Sequence, residues 1–170
     1  MAAKHLSDRD NWQTQTAKKA LKNEQTTFSL LKENLSYTQY KVTRKPTIRI
    51  GEVNKQPEAV IENLQTGKKL LIDDKYGEKG GNAHERAYFY TSNNSAEEAG
   101  FIPLLVFSGR TFAAKEKYHY LNKEGKKKWV DPEKYRREFR SVLKDSQYFI
   151  FDLEKSNWSD FIKQIRGLLA

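Results

Sequence analysis

The apolar run Pro103–Ser108 (PLLVFS) constrains the fold more than any other stretch of the sequence. A strand without polar alternation has to be covered on both faces, so this run predicts a strand in the middle of a sheet. Two further strands are predicted upstream, at Glu58–Asn63 (EAVIEN) and Lys69–Lys75 (KLLIDDK), with Gly67 in the turn between them. The sheet therefore contains at least one antiparallel pair and one buried strand.

Helical and strand-like segments alternate along the rest of the chain. Apolar residues at near-helical spacing predict helices at residues 9–34 and Trp158–Leu169. The remaining predicted elements are strands at Tyr37–Val42, Thr47–Ile50 and Tyr148–Asp152, a helix beginning at Asn82 and reaching Tyr90 or Ala99, and a helix at Pro132–Leu143. This order predicts a single α/β domain over residues 1–170, with a mixed central β-sheet flanked by helices.

Composition narrows the classes of partner. The 170 residues carry a formal net charge of +9, which favours a polyanion such as nucleic acid, although a basic protein without such a partner stays open. The chain has no cysteine, which excludes disulfides and thiolate metal sites. No apolar run approaches the ~20 residues that span a bilayer, and the polar N-terminus has no signal-peptide core. We therefore expect a cytoplasmic protein with no membrane partner.

Acidic residues and a lysine meet at the ends of the two upstream strands. Alternation along a strand places Asp73 and Lys75 on one face and turns Asp74 to the other, where we expect it to point outward. A turn at Gly67 brings Glu58, which follows a proline, close to Asp73. Two neighbouring carboxylates repel each other, and a hard divalent cation such as Mg²⁺ relieves that repulsion. A lysine beside the ion orients or deprotonates a water, so these residues are suited to hydrolysing a phosphodiester. An acid-x-Lys tripeptide is nevertheless common on solvated strand ends, so this signal alone is only moderately specific.

Directly after these acids, Gly80-Gly81-Asn82 leads into the predicted helix. Asn82 as N-cap and Glu85 three positions later predict a capping box. That structural interpretation leaves Arg86 unexplained, because a positive charge is disfavoured near a helix N-terminus. Asn82 and Arg86, four residues apart, are predicted to share a helix face, where they suit the base edges and phosphates of DNA.

The segment GNAHER, Gly81–Arg86, resembles the Gly-Asn-Ala-x-Glu-Arg motif of type II restriction endonucleases of the EcoRI/MunI-like group, a branch of the PD-(D/E)xK nuclease superfamily. The run QPEAVIEN…LLIDDK is similar to that group's Pro-acid…acid-x-Lys core. FIPLLVFSG resembles the apolar strand that follows, and LSDRDNWQ with Glu24-Gln25 resembles the N-terminus of the MunI-like members. The resemblance covers roughly residues 6–112 and leaves the basic C-terminal third unmatched.

The resemblance implies a restriction-endonuclease-like fold and a homodimer that cuts a palindromic double-stranded DNA with Mg²⁺. Glu58 and Asp73 are then the metal ligands, and Lys75 is the catalytic lysine. The residues that read the target are Gly81, Asn82, Ala83 and Arg86, with Glu85 supporting Asn82 or Arg86 across the dimer. Relatives with this motif share an inner AATT and leave 5′-phosphates on 5′ overhangs. A cognate methyltransferase acting on the same site is also implied.

The sequence departs from the family pattern in three places. The acids Glu58 and Asp73 stand in the reverse of the usual order of Asp then Glu. The loop between Lys75 and Asn82 is shorter, and Gly80 stands where MunI-like members carry a basic residue that reads an outer base pair. These departures favour a target of AATT with little read outside it. The reversed acids keep open a non-catalytic DNA-binding protein. The other alternative is a structure-specific repair or junction nuclease, against which the pair Asn82 and Arg86 argues, because reading of shape needs no base-edge contacts.

Overall fold

The computed structural model describes the backbone of residues 2–170 and the side chains of residues 17–170. The strands, in chain order, are β1 (Tyr40–Arg44), β2 (Ile48–Ile50), β3 (Val53–Lys55), β4 (Ala59–Asn63), β5 (Lys69–Tyr76), β6 (Ile102–Ser108), β7 (Tyr118–Leu121), β8 (Lys127–Val130) and β9 (Tyr148–Ile150). The helices are α1 (Ala2–Asn34), α2 (Ser95–Glu98), α3 (Arg110–Ala113), α4 (Pro132–Val142) and α5 (Trp158–Leu169), with 3₁₀ helices at Ala83–Tyr90, Ser92–Asn94 and Asp145–Gln147.

The central sheet has the strand order β1-β4-β5-β6-β9. Its first three strands pair antiparallel, whereas β5, β6 and β9 pair parallel. The predicted mixed sheet flanked by helices is therefore confirmed. Pro103–Ser108 is buried throughout and lies between β5 and β9, as its unbroken apolar character predicts.

The two faces of the sheet are covered by different helices. On one face, Leu31 of α1 and Phe161 of α5 belong to a core that includes Leu70 and Ile72 of β5. On the other face, Leu71 of the same strand belongs to a core with elements from residues 87–143. Alternate residues of β5 thus face opposite layers, which is the expected consequence of the strand's two-residue period.

The second layer is the one that carries the segment after β5. Ala87 of the 3₁₀ helix and Phe139 of α4 are fully buried there with Leu105 and Phe107 of β6. The rings of Phe107 and Phe139 stack with centroids 4.0 Å apart and an interplanar angle of 13°. α4 is thereby fixed directly on the central strand.

Several predicted boundaries shift. β1 begins at Tyr40 rather than at residue 37, because Tyr40 and Gln39 both donate backbone hydrogen bonds to the Ser36 carbonyl in a turn. β3 was not predicted, since Val53–Lys55 is short and largely exposed, but it pairs with β2 across a turn at Gly51, whose φ is +60°. The basic C-terminal stretch forms the antiparallel hairpin of β7 and β8.

None of the helices in the described part of the chain combines the length and the apolar character that a membrane span requires.

Candidate functional site

β4 and β5 place Glu58 and Asp73 at matching ends of an antiparallel pair. The turn between the strands contains Gly67, with a φ of +75°, as the sequence predicts. Ala59 pairs with Ile72, so Glu58 and Asp73 occupy the next opposed backbone positions. Both carboxylates are largely withdrawn from solvent, with side-chain exposures of 4% for Glu58 and 13% for Asp73.

Glu58 is poorly compensated for a buried acid. Among residues 17–170 its Oε1 atom has no hydrogen-bond partner, and the Nε atom of Arg44 lies 3.7 Å away. Burial, reinforced by the negative charge of Glu24, raises the pKa of Glu58 to about 7. A buried carboxylate oxygen without a donor is a favourable position for a cation, because a cation supplies the missing positive charge.

Asp73 and Lys75 share a face of β5, as alternation along the strand predicts. Lys75 Nζ lies 3.5 Å from Asp73 Oδ2. Burial raises the pKa of Asp73, and the nearby Lys75 opposes that rise. Burial and the charge of Asp73 likewise raise the pKa of Tyr90, so the end of the 3₁₀ helix lies near this carboxylate.

Glu24 of α1 is a third acid at this site, and reasoning from strand patterns missed it. Its charge contributes to the raised pKa of both Glu58 and Asp73, which places it near both. It forms an ion pair with Lys45, with Nζ and Oε2 3.1 Å apart. The available signal was the similarity of Glu24-Gln25 to the N-terminus of the MunI-like members. We call Glu24, Glu58, Asp73 and Lys75 the acidic site.

The prediction that Asp74 points outward is wrong. Asp74 is 8% exposed and accepts hydrogen bonds from Asn23 Nδ2 at 3.1 Å and Thr27 Oγ1 at 2.7 Å. The reason is that α1 covers this face of β5 at the strand's end. Burial raises the pKa of Asp74 to about 6 although these hydrogen bonds oppose the rise. The contacts fasten α1 to β5 at residues adjacent to Glu24 and Asp73.

The segment Gly81–Arg86, here called the GNAHER segment, follows two left-handed glycines. Gly80 and Gly81 have φ values of +74° and +87°. Asn82 precedes the helix, but its side chain makes no capping hydrogen bond, so the predicted capping box does not form. Glu85 instead donates its backbone N–H to the Asn82 carbonyl at 3.0 Å. The backbone closes this turn itself and leaves both side chains free for other contacts.

The helix after Asn82 is 3₁₀, and this changes which residues share a face. A 3₁₀ helix repeats every three residues, so the buried positions are His84, Ala87 and Tyr90. Arg86 lies within this helix, whereas Asn82 precedes it with a φ of −130° and a ψ of 17°. The α-helical spacing that predicted a shared face for Asn82 and Arg86 therefore does not form here. The predicted base-reading residues Gly81, Asn82, Ala83 and Arg86 are all exposed, and so is Glu85, which is predicted to support them.

Among the described side chains, three potential metal ligands with donor atoms within 4.8 Å of one another occur at His84, Glu85 and Glu138. His84 is 4% exposed and its Nε2 atom lies 3.2 Å from Glu138 Oε1. The acidic site has a different character, since a buried oxygen of Glu58 there accepts no hydrogen bond from the described residues. That oxygen makes the acidic site the better fit to a hard cation.

The β7–β8 hairpin lies beside the glycines that precede the GNAHER segment. Tyr118 donates a hydrogen bond from its hydroxyl to the Glu78 carbonyl at 2.6 Å, and a side chain at Gly80 would contact Val130. Lysines 115, 117, 123, 126, 127 and 128 fall in and around this hairpin against two acids, Glu116 and Glu124. A basic surface therefore borders the segment.

Two comparisons with known proteins agree with this arrangement. Residues 1–77 match the family described as type II restriction enzyme MunI. The fold is similar to that of MunI restriction endonuclease in a crystal structure in complex with cognate DNA, with a TM-score of 0.61 and 19% sequence identity, over 94% of this chain and 98% of that one. At that identity the structural match concerns the fold. A search of curated proteins found no significant match.

The class supported by these findings is a type II restriction endonuclease, a nuclease that is a hydrolase. The similarity to MunI is one of sequence over residues 1–77 and one of fold over nearly the whole chain. The resemblance inferred from the sequence is therefore confirmed. The sequence match includes Glu58, Asp73 and Lys75, whereas the GNAHER segment lies beyond it.

Proposed function

We propose that the chain, acting as one nuclease domain over residues 1–170, hydrolyses double-stranded DNA at a short palindrome that contains or equals AATT. The observation that carries this proposal is the buried Glu58 oxygen that accepts no hydrogen bond from the described residues, beside the pair formed by Asp73 and Lys75. Burial and the negative charge of Glu24 raise the pKa of both acids, which is an electrostatic setting that favours a divalent cation. An ordinary ion pair on the protein surface would not bury its carboxylates or raise their pKa values in this way.

Glu58 and Asp73 are the ligands we assign to Mg²⁺. Both offer carboxylate oxygens, the ligand type that Mg²⁺ prefers, and Glu58 Oε1 accepts no hydrogen bond from the described residues. The reversed order of the two acids changes each arm by one methylene and keeps the same number of oxygens. Bound Mg²⁺ supplies positive charge that stabilises the scissile phosphate and acidifies a bound water.

Lys75 is the residue that we propose to act on the reacting phosphate. Its ammonium group lies 3.5 Å from Asp73 Oδ2, so a phosphate bound beside Asp73 would lie near a positive charge. A fixed ammonium there stabilises the charge that builds on phosphorus and orients the water. Cleavage is expected to leave 5′-phosphates on 5′ overhangs.

The GNAHER segment is the part we assign to sequence reading. Its exposed Asn82 suits the N6 and N7 edge of adenine, and Arg86 suits base acceptors or a phosphate. Gly81 and Ala83 allow close approach of the backbone, and Glu85 supports Asn82 or Arg86 across a dimer. Arg110, Lys115 and Lys117 are candidates for flanking phosphates.

The assembly and cellular context follow from the palindromic target. A two-fold symmetric site is read by a symmetric homodimer in which each subunit cuts one strand. Such an enzyme acts on DNA in the cytoplasm, and a methyltransferase acting on the same sequence would protect the host's own sites.

The experiment that tests this function is digestion of a sequenced plasmid with purified protein and Mg²⁺, followed by sequencing of every new end. Ends clustered at AATT are the expected result, and they would establish the reaction, the target and the stagger together. Ends at another palindrome would overturn the target assignment. Cleavage without sequence preference would favour a structure-specific nuclease, and duplex binding without cleavage would favour a DNA-binding protein.

A further inference from the structure

α4 holds the GNAHER segment at two points that bracket Asn82 and Ala83. On one side, the Tyr135 hydroxyl donates a hydrogen bond to the Gly81 carbonyl at 2.8 Å. On the other side, Glu138 Oε1 lies 3.2 Å from His84 Nε2. Tyr135 and Glu138 are three residues apart on α4 and therefore project from the same side of the helix.

Glu138 binds a second residue of the 3₁₀ helix. The Tyr88 hydroxyl donates a hydrogen bond to the same Oε1 atom at 2.6 Å. Burial opposes ionisation of Glu138, but the hydrogen bonds from Tyr88 and His84 outweigh it and lower the pKa of this carboxyl. An ionised acceptor makes stronger hydrogen bonds than a neutral one, so Glu138 joins two successive turns of the 3₁₀ helix to α4.

His84 is enclosed in a manner that suits an anchor. Its ring makes edge contacts with four aromatic rings, at centroid distances between 5.1 and 5.9 Å, from Tyr88, Phe112, Tyr135 and Phe139. The side chain therefore has little freedom to change rotamer. Because His84 occupies the variable position of the motif, this anchor is a feature of the present sequence.

α4 is itself rigidly attached to the body of the protein. Phe139 stacks on Phe107 of the central strand, with ring centroids 4.0 Å apart. Arg136 donates hydrogen bonds to the carbonyls of Phe112 at 2.9 Å and Ala114 at 2.7 Å. The contacts from α4 therefore fix the GNAHER segment relative to the central sheet, which also carries Asp73 and Lys75.

The side chains proposed to read DNA have no comparable support. Asn82 makes no capping hydrogen bond, and Asn82 and Ala83 are exposed. Their positions depend on the backbone on either side, which Tyr135 and Glu138 hold. We propose that Glu138 and Tyr135 are positioning residues for sequence discrimination, holding the GNAHER segment in its reading conformation. This inference rests on the proposed function.

The first test compares Glu138→Ala with Glu138→Gln, and uses Ser141→Ala on an exposed position of the same helix as the control. Binding is measured without metal to a duplex containing AATT and to duplexes with one base pair changed. We expect Glu138→Ala to reduce the ratio of the two affinities by about tenfold. Binding to the changed duplexes should stay within about twofold of wild type, because phosphate contacts carry that binding.

Glu138→Gln should recover most of the discrimination, because its amide oxygen still accepts from Tyr88 and His84. Tyr135→Phe removes one hydroxyl and should lower the ratio less than Glu138→Ala does. The inference is overturned if Glu138→Ala discriminates as well as wild type and Ser141→Ala do. It is also overturned if all duplexes lose affinity equally.

A second measurement tests the positioning role of Glu138 in the protein without DNA. Amide hydrogen exchange at residues 81–88 should be faster in Glu138→Ala than in wild type, with unchanged rates at Leu104–Phe107 in the central strand. Unchanged exchange at 81–88 would overturn the positioning role whatever the DNA target. Faster exchange combined with a wild type that prefers no sequence would support the positioning role and overturn the proposed function instead.

Discussion

The acidic site and the GNAHER segment lie close together and are built in opposite ways. The acidic site buries charge with few hydrogen bonds, to the point that Glu58 Oε1 has none. The GNAHER segment exposes its polar side chains and bonds its backbone at Gly81 and its buried His84 to α4. One region is destabilised by its own functional groups, whereas the other keeps those groups outside its stabilising contacts.

This difference has a physical origin in what each region has to do. A cation site needs concentrated negative charge, which costs folding free energy until the cation binds. A base-reading surface needs donors and acceptors that stay unsatisfied until DNA arrives, so its rigidity has to come from other residues. Substitutions in the two regions should therefore differ in kind, changing cleavage and stability in one and discrimination in the other.

The largest effect is expected at the acidic site. Asp73→Ala or Lys75→Ala should lower the cleavage rate by about 10²–10³-fold or more, because each removes charge that acts on the reacting phosphate. Duplex affinity should change little. Single-turnover cleavage of a duplex containing AATT, with binding measured separately, checks both. Glu62→Ala, which removes another acid from β4, is the matched control, and a Lys75→Ala protein that cuts as fast as this control would refute the catalytic assignment.

The next effect belongs to the GNAHER segment. Asn82→Ala should cost about 1–3 kcal/mol of discrimination at one adenine, because a bidentate contact is lost. Competition binding with duplexes changed at single positions measures this. Lys117→Gln beside the hairpin provides the contrast, since losing a phosphate contact weakens binding to every sequence and lowers the salt slope by about 1. If Asn82→Ala instead weakened all duplexes equally, Asn82 would contact phosphate rather than a base.

The acidic site was largely predictable from sequence because strand alternation is a local rule. The two-residue period of β5 places Asp73 with Lys75, and Gly67 sets the turn that opposes Glu58 and Asp73. Glu24 was not predictable in this way, since it approaches from a helix more than thirty residues upstream. The prediction that Asp74 points outward was wrong for the same reason, because the helix that covers Asp74 is distant in sequence.

The GNAHER segment was identified from its motif, but its conformation was not predicted. An Asn followed three residues later by Glu predicts a capping box and an α-helix, whereas the chain forms a 3₁₀ helix. The contacts that hold it come from Tyr135 and Glu138, some fifty residues further on. Local sequence patterns cannot reveal contacts with residues so distant along the chain.

The smallest effect tests the electrostatic cost of the acidic site directly. The pKa of Glu58 is about 7 in the folded chain and 4.5 as its ordinary value, so the folded state holds its proton more tightly. Folding stability contributed by this group is therefore lost as pH rises between about 4.5 and 7.

Glu58→Gln carries no ionisable group at this position and should be more stable than wild type by about 1–2 kcal/mol at pH 8, with little difference at pH 4.5. Denaturant unfolding in the presence of a chelator measures the two differences. Glu62→Gln, on the strand that follows Glu58, should show no comparable gain at pH 8. A stability difference between Glu58→Gln and wild type that stayed constant across this range would mean that Glu58 is already compensated in the folded chain. The acidic site would then not be destabilised by Glu58, and it would not differ from the GNAHER segment in this respect.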